Sequence, residues 1–276
     1  MTDILEPAQL EAVLTRFGFA SPPPVDEAGL DDLYRAWCRL VPFDNTQKLL
    51  TLSSGAGGPL PVLAPHDFFA QWLRHGTGGT CWPSSNGLIA LLLSSGFDAR
   101  RVAGSMFEGG DLNHGAVVVT VHGDDFLVDS SMLTDRPVRI TAEPTMDDDP
   151  VHPTAVEPVE GTFRFHFGVP FDPGGRSLRW RLMADPADPA LFAERYEVSR
   201  VASIFNESRY ARRNHADGVR ALMKNTRAVK TATSFELQSD LDPDEQDRSL
   251  IQDIGLSEEI VARLRAAVPA ASISGG

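Results

Sequence analysis

Cysteine is scarce in this chain: only Cys38 and Cys81 occur among 276 residues. A pairing of the two is not expected, because a cysteine-poor chain without an export signal fits a reducing cytoplasm. The opening Met1-Thr2-Asp3-Ile4-Leu5-Glu6 lacks the basic start of a signal peptide. Positive charge is also short, with 25 Lys and Arg against 38 Asp and Glu, a net charge of −13. Gripping a nucleic-acid backbone needs clustered Lys and Arg, so no nucleic-acid partner is expected. No window approaches the roughly 18 consecutive apolar residues of a membrane span, so no membrane partner is expected either. The acidic runs 147–149 and 242–247 lack the alternating ligands of a calcium loop, and no histidine is spaced with them for zinc. They read as solvated loops, and no metal is expected.

What is present centres on Cys81, in Gly78-Gly79-Thr80-Cys81-Trp82-Pro83. Pro83 suits the first turn of a helix, where its missing N–H is not penalised. The apolar run Leu88-Ile89-Ala90-Leu91-Leu92-Leu93 then reads as a buried helix. A helix N-terminus offers partial positive charge and free N–H groups, and both favour a thiolate over a thiol. Cys81 is therefore the candidate nucleophile. Cys38 lies within an apolar-periodic helix and reads as packing.

Downstream, Asn113-His114-Gly115-Ala116-Val117-Val118-Val119-Thr120-Val121 and Phe126-Leu127-Val128-Asp129 flank a Gly/Asp turn. This pattern predicts a β-hairpin. With the turn at His122-Gly123, Asp129 pairs with Ala116, and His114 lies two residues along on the same face. With the turn at Gly123-Asp124 the face is kept but the separation grows. A carboxylate that orients a histidine, which in turn deprotonates a cysteine, is the arrangement of thiol catalysis. The candidate catalytic residues are Cys81, His114 and Asp129.

The pattern along the chain predicts an α+β fold. Helical spacing recurs at 7–17, 26–41, 66–74 and 83–95. Short strands follow at 102–107, 116–121, 126–129, 163–167 and 178–182. Alternation from Phe163 to Phe167 puts Arg164 and His166 on the face opposite the phenylalanines, so His166 reads as a strand residue and not a ligand. The stretch 129–158 reads as a long excursion. Beyond about 200 comes a mixed segment, then a helix at 257–267 capped by Ser257, and a frayed tail at 272–276. Three units are expected: 1–98 helical and carrying the nucleophile, 99–200 of β-strands carrying His114 and Asp129, and 201–276.

In these residues the chain resembles the arylamine N-acetyltransferase family, whose members carry Arg-Gly-Gly-x-Cys at a helix head, then a His and an Asp on neighbouring strands. Cys81, His114 and Asp129 match in order. Val41-Pro42-Phe43-Asp44-Asn45 is similar to the family's Val-Pro-Phe-Glu-Asn, and Gly96-Phe97 to the Gly-Phe closing the cysteine helix. The departures are Thr77 for the family's arginine, Pro83 for an acidic residue, Asn86 one place late, and Ser130-Ser131-Met132 for a glycine-containing stretch.

The resemblance implies a helical N-terminal part, an antiparallel β-barrel-like middle and a C-terminal α/β lid, with a site like that of the cysteine proteases. It also implies acyl transfer from acetyl-CoA or a similar acyl-CoA through an S-acyl-cysteine to a small-molecule amine, with no permanent cofactor. Phe43, Thr80, Trp82, Ser130 and Met132 are the implied substrate contacts. The departures leave room for an amide synthase that takes its acyl chain from an acyl carrier protein. A cysteine amidohydrolase or transglutaminase-like enzyme, or a binding protein that has lost activity, are further alternatives.

Overall fold

The computed structural model describes residues 3–55, 57–172 and 177–268. The expected tail at 272–276 lies outside them. Helices dominate the first part: α1 (Pro7–Phe17), α2 (Glu27–Leu40), α3 (Thr46–Ser53), α4 (Pro65–His75) and α5 (Cys81–Ser94), with the short strand β1 (Phe43–Asp44) ahead of α3. Local chemistry sets their ends. Proline opens α1 and α4, and Gly18 and Gly76 close them with left-handed backbone. The Asp26 side chain accepts the Gly29 N–H at the head of α2. In α5, Cys81 through Leu92 are all buried. A helix apolar on every side belongs at the centre, and each buried Leu or Ile contributes about 1.5–3 kcal/mol.

Antiparallel strands then form one sheet: β2 (Asp98–Met106), β3 (His114–Val121), β4 (Asp124–Val128), β5 (Val138–Arg139), β6 (Thr145–Asp147), β7 (Thr154–Val159), β8 (Thr162–Gly168) and β9 (Ser177–Ala184). Their order is β5-β4-β3-β2-β9-β8-β7-β6. Strand β3 is covered on both faces. Val117, Val119 and Val121 pack with the helices, while Ala116 and Val118 face Phe165 and Trp180 across the curl of the sheet. The edge strands β5 and β6 line one cleft of about 270 Å³. The sheet is thus curled, and its two edges meet across a cleft and not through a hydrogen-bonded ladder. Residues 129–158 are less of an excursion than the sequence suggests, because β5, β6 and β7 all join this sheet.

Helix α6 (Pro189–Val198) leads to a second sheet of β10 (Tyr210–His215), β11 (Gly218–Met223), β12 (Thr226–Thr231) and β13 (Phe235–Gln238), then α7 (Pro243–Ser249), a π turn at Leu250–Ile254 and α8 (Glu258–Ala267). Strand β1 completes this sheet against β10, pairing Phe43 with Arg212 and Asp44 with Ala211. The same β1 bridges Gly79. Two residues thus tie the loop before Cys81 to the second sheet.

Gly78 makes that tie possible. A Cβ there would stand 1.8 Å from the Pro42 carbonyl oxygen. Gly78→Ala is expected to cost about 1–3 kcal/mol in urea unfolding. Gly57→Ala, where a Cβ meets nothing within 4 Å, is expected to stay within about 0.5 kcal/mol of the parent.

Candidate active site

The β3–β4 turn fixes the geometry. Val121 pairs with Asp124 and Val117 with Val128, so the loop residues are His122 and Gly123. Both have positive φ, 51° and 90°, the two-residue turn that matches strand twist. Continued one step, this register sets Asp129 opposite Ala116, on the face that carries His114. The His114 Nε2 to Asp129 Oδ2 distance is 2.8 Å. His114 is 3 % exposed and Asp129 is fully buried.

The carboxylate is held on every side. Its Oδ1 accepts the N–H groups of Ser131 at 2.8 Å and Met132 at 3.0 Å. Tyr34, from α2, donates its hydroxyl to the Asp129 carbonyl at 2.8 Å and accepts the Asp129 N–H at 3.1 Å. Burial opposes the charge on Asp129, but His114 and the two backbone N–H groups win and lower its pKa. His114 is the mirror case. Burial favours the neutral ring, yet Asp129 and then Cys81 raise its pKa to about 10. An imidazolium is the resting form at neutral pH. The ring lies 5.0 Å from that of Trp180, tilted by 54°. Gly104, opposite His114 on β2, leaves the room, since a Cβ there would meet Trp180 at 2.5 Å.

Cys81 is the first residue of α5 and is 8 % exposed. Its Sγ is 3.9 Å from the carbonyl of Asn113, the residue before His114, and Cys81 helps to raise the His114 pKa. With Nε2 committed to Asp129, Nδ1 is the nitrogen left for sulfur. The Ser84 N–H closes on the Thr80 carbonyl at 3.1 Å and Pro83 has no N–H. Cys81 and Trp82 therefore carry the N–H groups at the helix head without an intrahelical acceptor. Cys38 is a free, fully buried thiol whose pKa burial pushes up.

The five expected substrate contacts divide. Phe43 is packed edge-on to Phe205 at 5.2 Å and Tyr210 at 5.6 Å. Thr80 caps α5 through its backbone alone, and its buried hydroxyl has no partner among the described residues. Met132 follows the Asp129 loop and gives its carbonyl to Arg212 at 2.5 Å. Trp82 and Ser130 pack against the elements behind the nucleophile. Trp82 turns into the core, its ring 5.0 Å from that of Phe192 on α6. The Ser130 hydroxyl lies 2.9 Å from that of Ser85, whose own proton goes to the Gly115 carbonyl. Both brace the site from behind. Among the described residues, no group of three or more His, Cys, Asp or Glu is placed to hold a metal ion, and no helix is long and apolar enough to cross a membrane.

Three supporting contacts have no local signal that states their role. Asp44 accepts the Gly78 N–H at 2.6 Å and the Thr46 N–H at 2.8 Å. Asn45 donates to the Phe205 and Ser208 carbonyls and accepts from the Tyr210 N–H at 2.9 Å. The segment 41–45 thus clamps the nucleophile loop to the second sheet. Arg101 links β2 to Asn86 on α5, at 2.7 Å.

A profile of the N-acetyltransferase family matches residues 27–169, more than half of the chain. The arylamine N-acetyltransferase of Mycolicibacterium smegmatis is 30 % identical over 148 residues, 49 % of this chain and 51 % of that protein. The match spans about half the length of that curated relative. Among solved structures, M. smegmatis arylamine N-acetyltransferase superposes with a TM-score of 0.80 at 18 % identity, covering 96 % of this chain and 99 % of that one. The Mycobacterium marinum enzyme in complex with CoA superposes with a TM-score of 0.80 at 17 % identity, covering 94 % and 97 %. The chain belongs to the arylamine N-acetyltransferase family.

If Asp129 orients the ring, Asp129→Asn offers Nε2 an amide of the same shape but no charge. Turnover is expected to drop on the order of 10⁴-fold, as in hydrolytic triads. The same change at Asp124, the partly exposed first residue of β4, should leave it within about twofold. Steady-state rates of the purified variants make the comparison.

Proposed function

We propose that this protein moves an acyl group from an acyl-CoA, acetyl-CoA in the simplest case, through an S-acyl intermediate on Cys81 to an amine. One observation carries the reading: an imidazolium held by Asp129 faces a cysteine at the head of a helix. The CoA complex of the M. marinum relative supports the donor class.

In the first half-reaction the Cys81 thiolate attacks the thioester carbonyl and a C–S bond forms. The oxyanion is met by the N–H groups of Cys81 and Trp82, fixed in place before the reaction begins. Collapse breaks the bond to coenzyme sulfur, and the departing thiolate takes the proton of His114. Exchange between two thioesters is nearly thermoneutral, so the acyl-enzyme keeps the group's transfer potential. In the second half-reaction the amine nitrogen attacks the same carbonyl, and His114, now neutral, accepts its proton. The C–N bond forms, and Cys81 leaves as a thiolate beside the restored imidazolium. Asp129 keeps Nε2 occupied throughout, so proton traffic uses Nδ1 alone. We assign the apolar wall beside the nucleophile loop, Phe43 with Phe205 and Tyr210, to the acceptor.

Intact-protein mass spectrometry after mixing with acetyl-CoA is expected to show one acetyl adduct at Cys81, which an arylamine discharges. Cys81→Ser should show no adduct and a turnover lower by at least about 10⁴-fold, while Cys38→Ser keeps both. Adducts formed only from a carrier-protein thioester would move the donor to an acyl carrier protein. Release of free acid or ammonia from an amide substrate would point to hydrolysis. An unreactive Cys81 would overturn the proposal.

A further inference from the structure

Two cations of the second sheet are buried without an anion. Lys230 on β12 is 8 % exposed and Arg212 on β10 is 4 % exposed. Charged side chains at that depth are rare unless paired, because leaving water is costly. Among the described residues neither forms an ion pair. The Lys230 Nζ has no hydrogen-bond acceptor among them either, and the Arg212 Nε is buried without one. Arg212 gives an Nη2 proton to the Met132 carbonyl at 2.5 Å, a neutral partner. Strand pairing sets the two cations side by side. Arg212 is opposite Ala221 on β11, and Lys230 is opposite Val219, two residues along. The period of two puts both on one face. That face meets the curled sheet: a Cβ on Gly168, the last residue of β8, would stand 3.7 Å from the Lys230 Nζ.

Lys230 and Arg212 line one cavity, together with His152, Met132, Phe167 and Val219. Its volume is about 10 Å³, room for one sphere of about water's size. The carboxylates nearby are turned elsewhere. Asp135 pairs with Arg39 at 3.0 Å. The Asp149 Oδ1 accepts the Val151 and His152 N–H groups, each at 2.8 Å. Asp149 and Asp172 are felt at Lys230, where burial lowers the pKa, but neither forms an ion pair with it. Burial, then Arg212, lowers the His152 pKa to about 4. That ring is neutral at pH 7 and adds no third charge.

We propose that this cavity is a halide site, in which one chloride ion sits between Lys230 and Arg212. Water would fill the space but leave both charges uncompensated. A monatomic anion fills it and offsets them, and the Lys230 ammonium gains the acceptor it lacks, in a charge-assisted hydrogen bond. Phosphate or a carboxylate needs more room than the cavity has. The site reaches the triad through Met132, whose carbonyl is taken by Arg212 and whose N–H goes to the Asp129 Oδ1. Chloride thus ties the second sheet to the loop that holds Asp129. No covalent bond is made or broken there, and the site does not depend on the acyl-transfer reading.

The test compares thermal unfolding of the native protein in sodium chloride and in sodium gluconate at equal ionic strength. Gluconate is too large for the cavity, so general screening of the net charge of −13 cancels in the difference. A ligand bound only by the folded state stabilises with the logarithm of its concentration. The Tm difference is expected to widen by about 2–5 °C per tenfold rise in chloride above its dissociation constant. Lys230→Met should lose this chloride-specific increment and, in gluconate, melt no lower than the native protein, because the like charge beside Arg212 is gone. Lys230→Arg, which keeps the charge, should keep the increment. A crystal soaked in sodium bromide should show an anomalous peak between Lys230 and Arg212. No chloride-specific shift in the native protein, or one that survives Lys230→Met while Tm falls equally in both salts, overturns the site. A bromide peak without a shift in solution is binding at crystal concentration only, and overturns it too. The native melting curves and the bromide peak decide the matter if the variants do not fold.

Discussion

The structure turns on one ion pair held out of water. An isolated buried carboxylate costs several kcal/mol, and an isolated buried imidazolium costs as much. Asp129 and His114 escape this because each is the other's counter-ion at 2.8 Å. The spare lone pairs of Asp129 are taken by the Ser131 and Met132 N–H groups. Removing either partner leaves a buried charge without compensation, typically about 3–5 kcal/mol. The surrounding elements are arranged around this requirement. The β3–β4 register sets the two residues on one face, Tyr34 pins the strand end, and Ser130 braces the loop through Ser85. The same pair maintains the imidazolium that Cys81 faces.

The second constraint is the loop that presents the sulfur. Gly78 and Gly79 run so close to Pro42 and Pro83 that side chains are excluded. Asp44 and Asn45 hold that loop from one side and the 205–210 segment from the other. A helical part, a curled sheet and a second sheet therefore converge at the head of α5. In the acyl-transfer reading this division of labour has a chemical logic. The helix supplies the nucleophile and oxyanion donors, the curled sheet supplies the base and its orienting acid, and the second sheet supplies the wall beside Phe43.

The parts legible in the sequence were those with local signals. Proline at a helix start and the Ser257 cap both act within a few residues of where they are read. The hairpin was legible because a Gly/Asp turn separates two β-branched runs; either turn keeps Asp129 on the face of His114, and the strand pairing selects His122-Gly123. The unread parts depend on long-range pairing. Nothing local in Thr154–Val159 says that it lies between β8 and β6, and nothing in Phe43–Asp44 says that it will join strands some 170 residues away. Trp82 is a substrate contact only by resemblance, and nothing in its local sequence says which way its ring turns. A helix whose first turn is buried turns its second residue to the core, and only the packing of α6 reveals this. Trp180 over His114 left one faint trace, Gly104 in the middle of a strand.

The central claim is that Asp129 outweighs burial and keeps His114 protonated opposite Cys81. A titration of the His114 imidazole followed by nitrogen NMR in selectively labelled protein tests it directly. A pKa raised in the folded state predicts a ring that stays protonated through neutral pH and titrates near 10. The stability it lends is then full below the ordinary value of 6.5 and lost as pH rises through about 10. In Asp129→Asn the midpoint should fall well below the native one, because burial is then opposed by Cys81 without the Asp129 charge. A native midpoint at or below 6.5, unmoved by Asp129→Asn, would contradict the account.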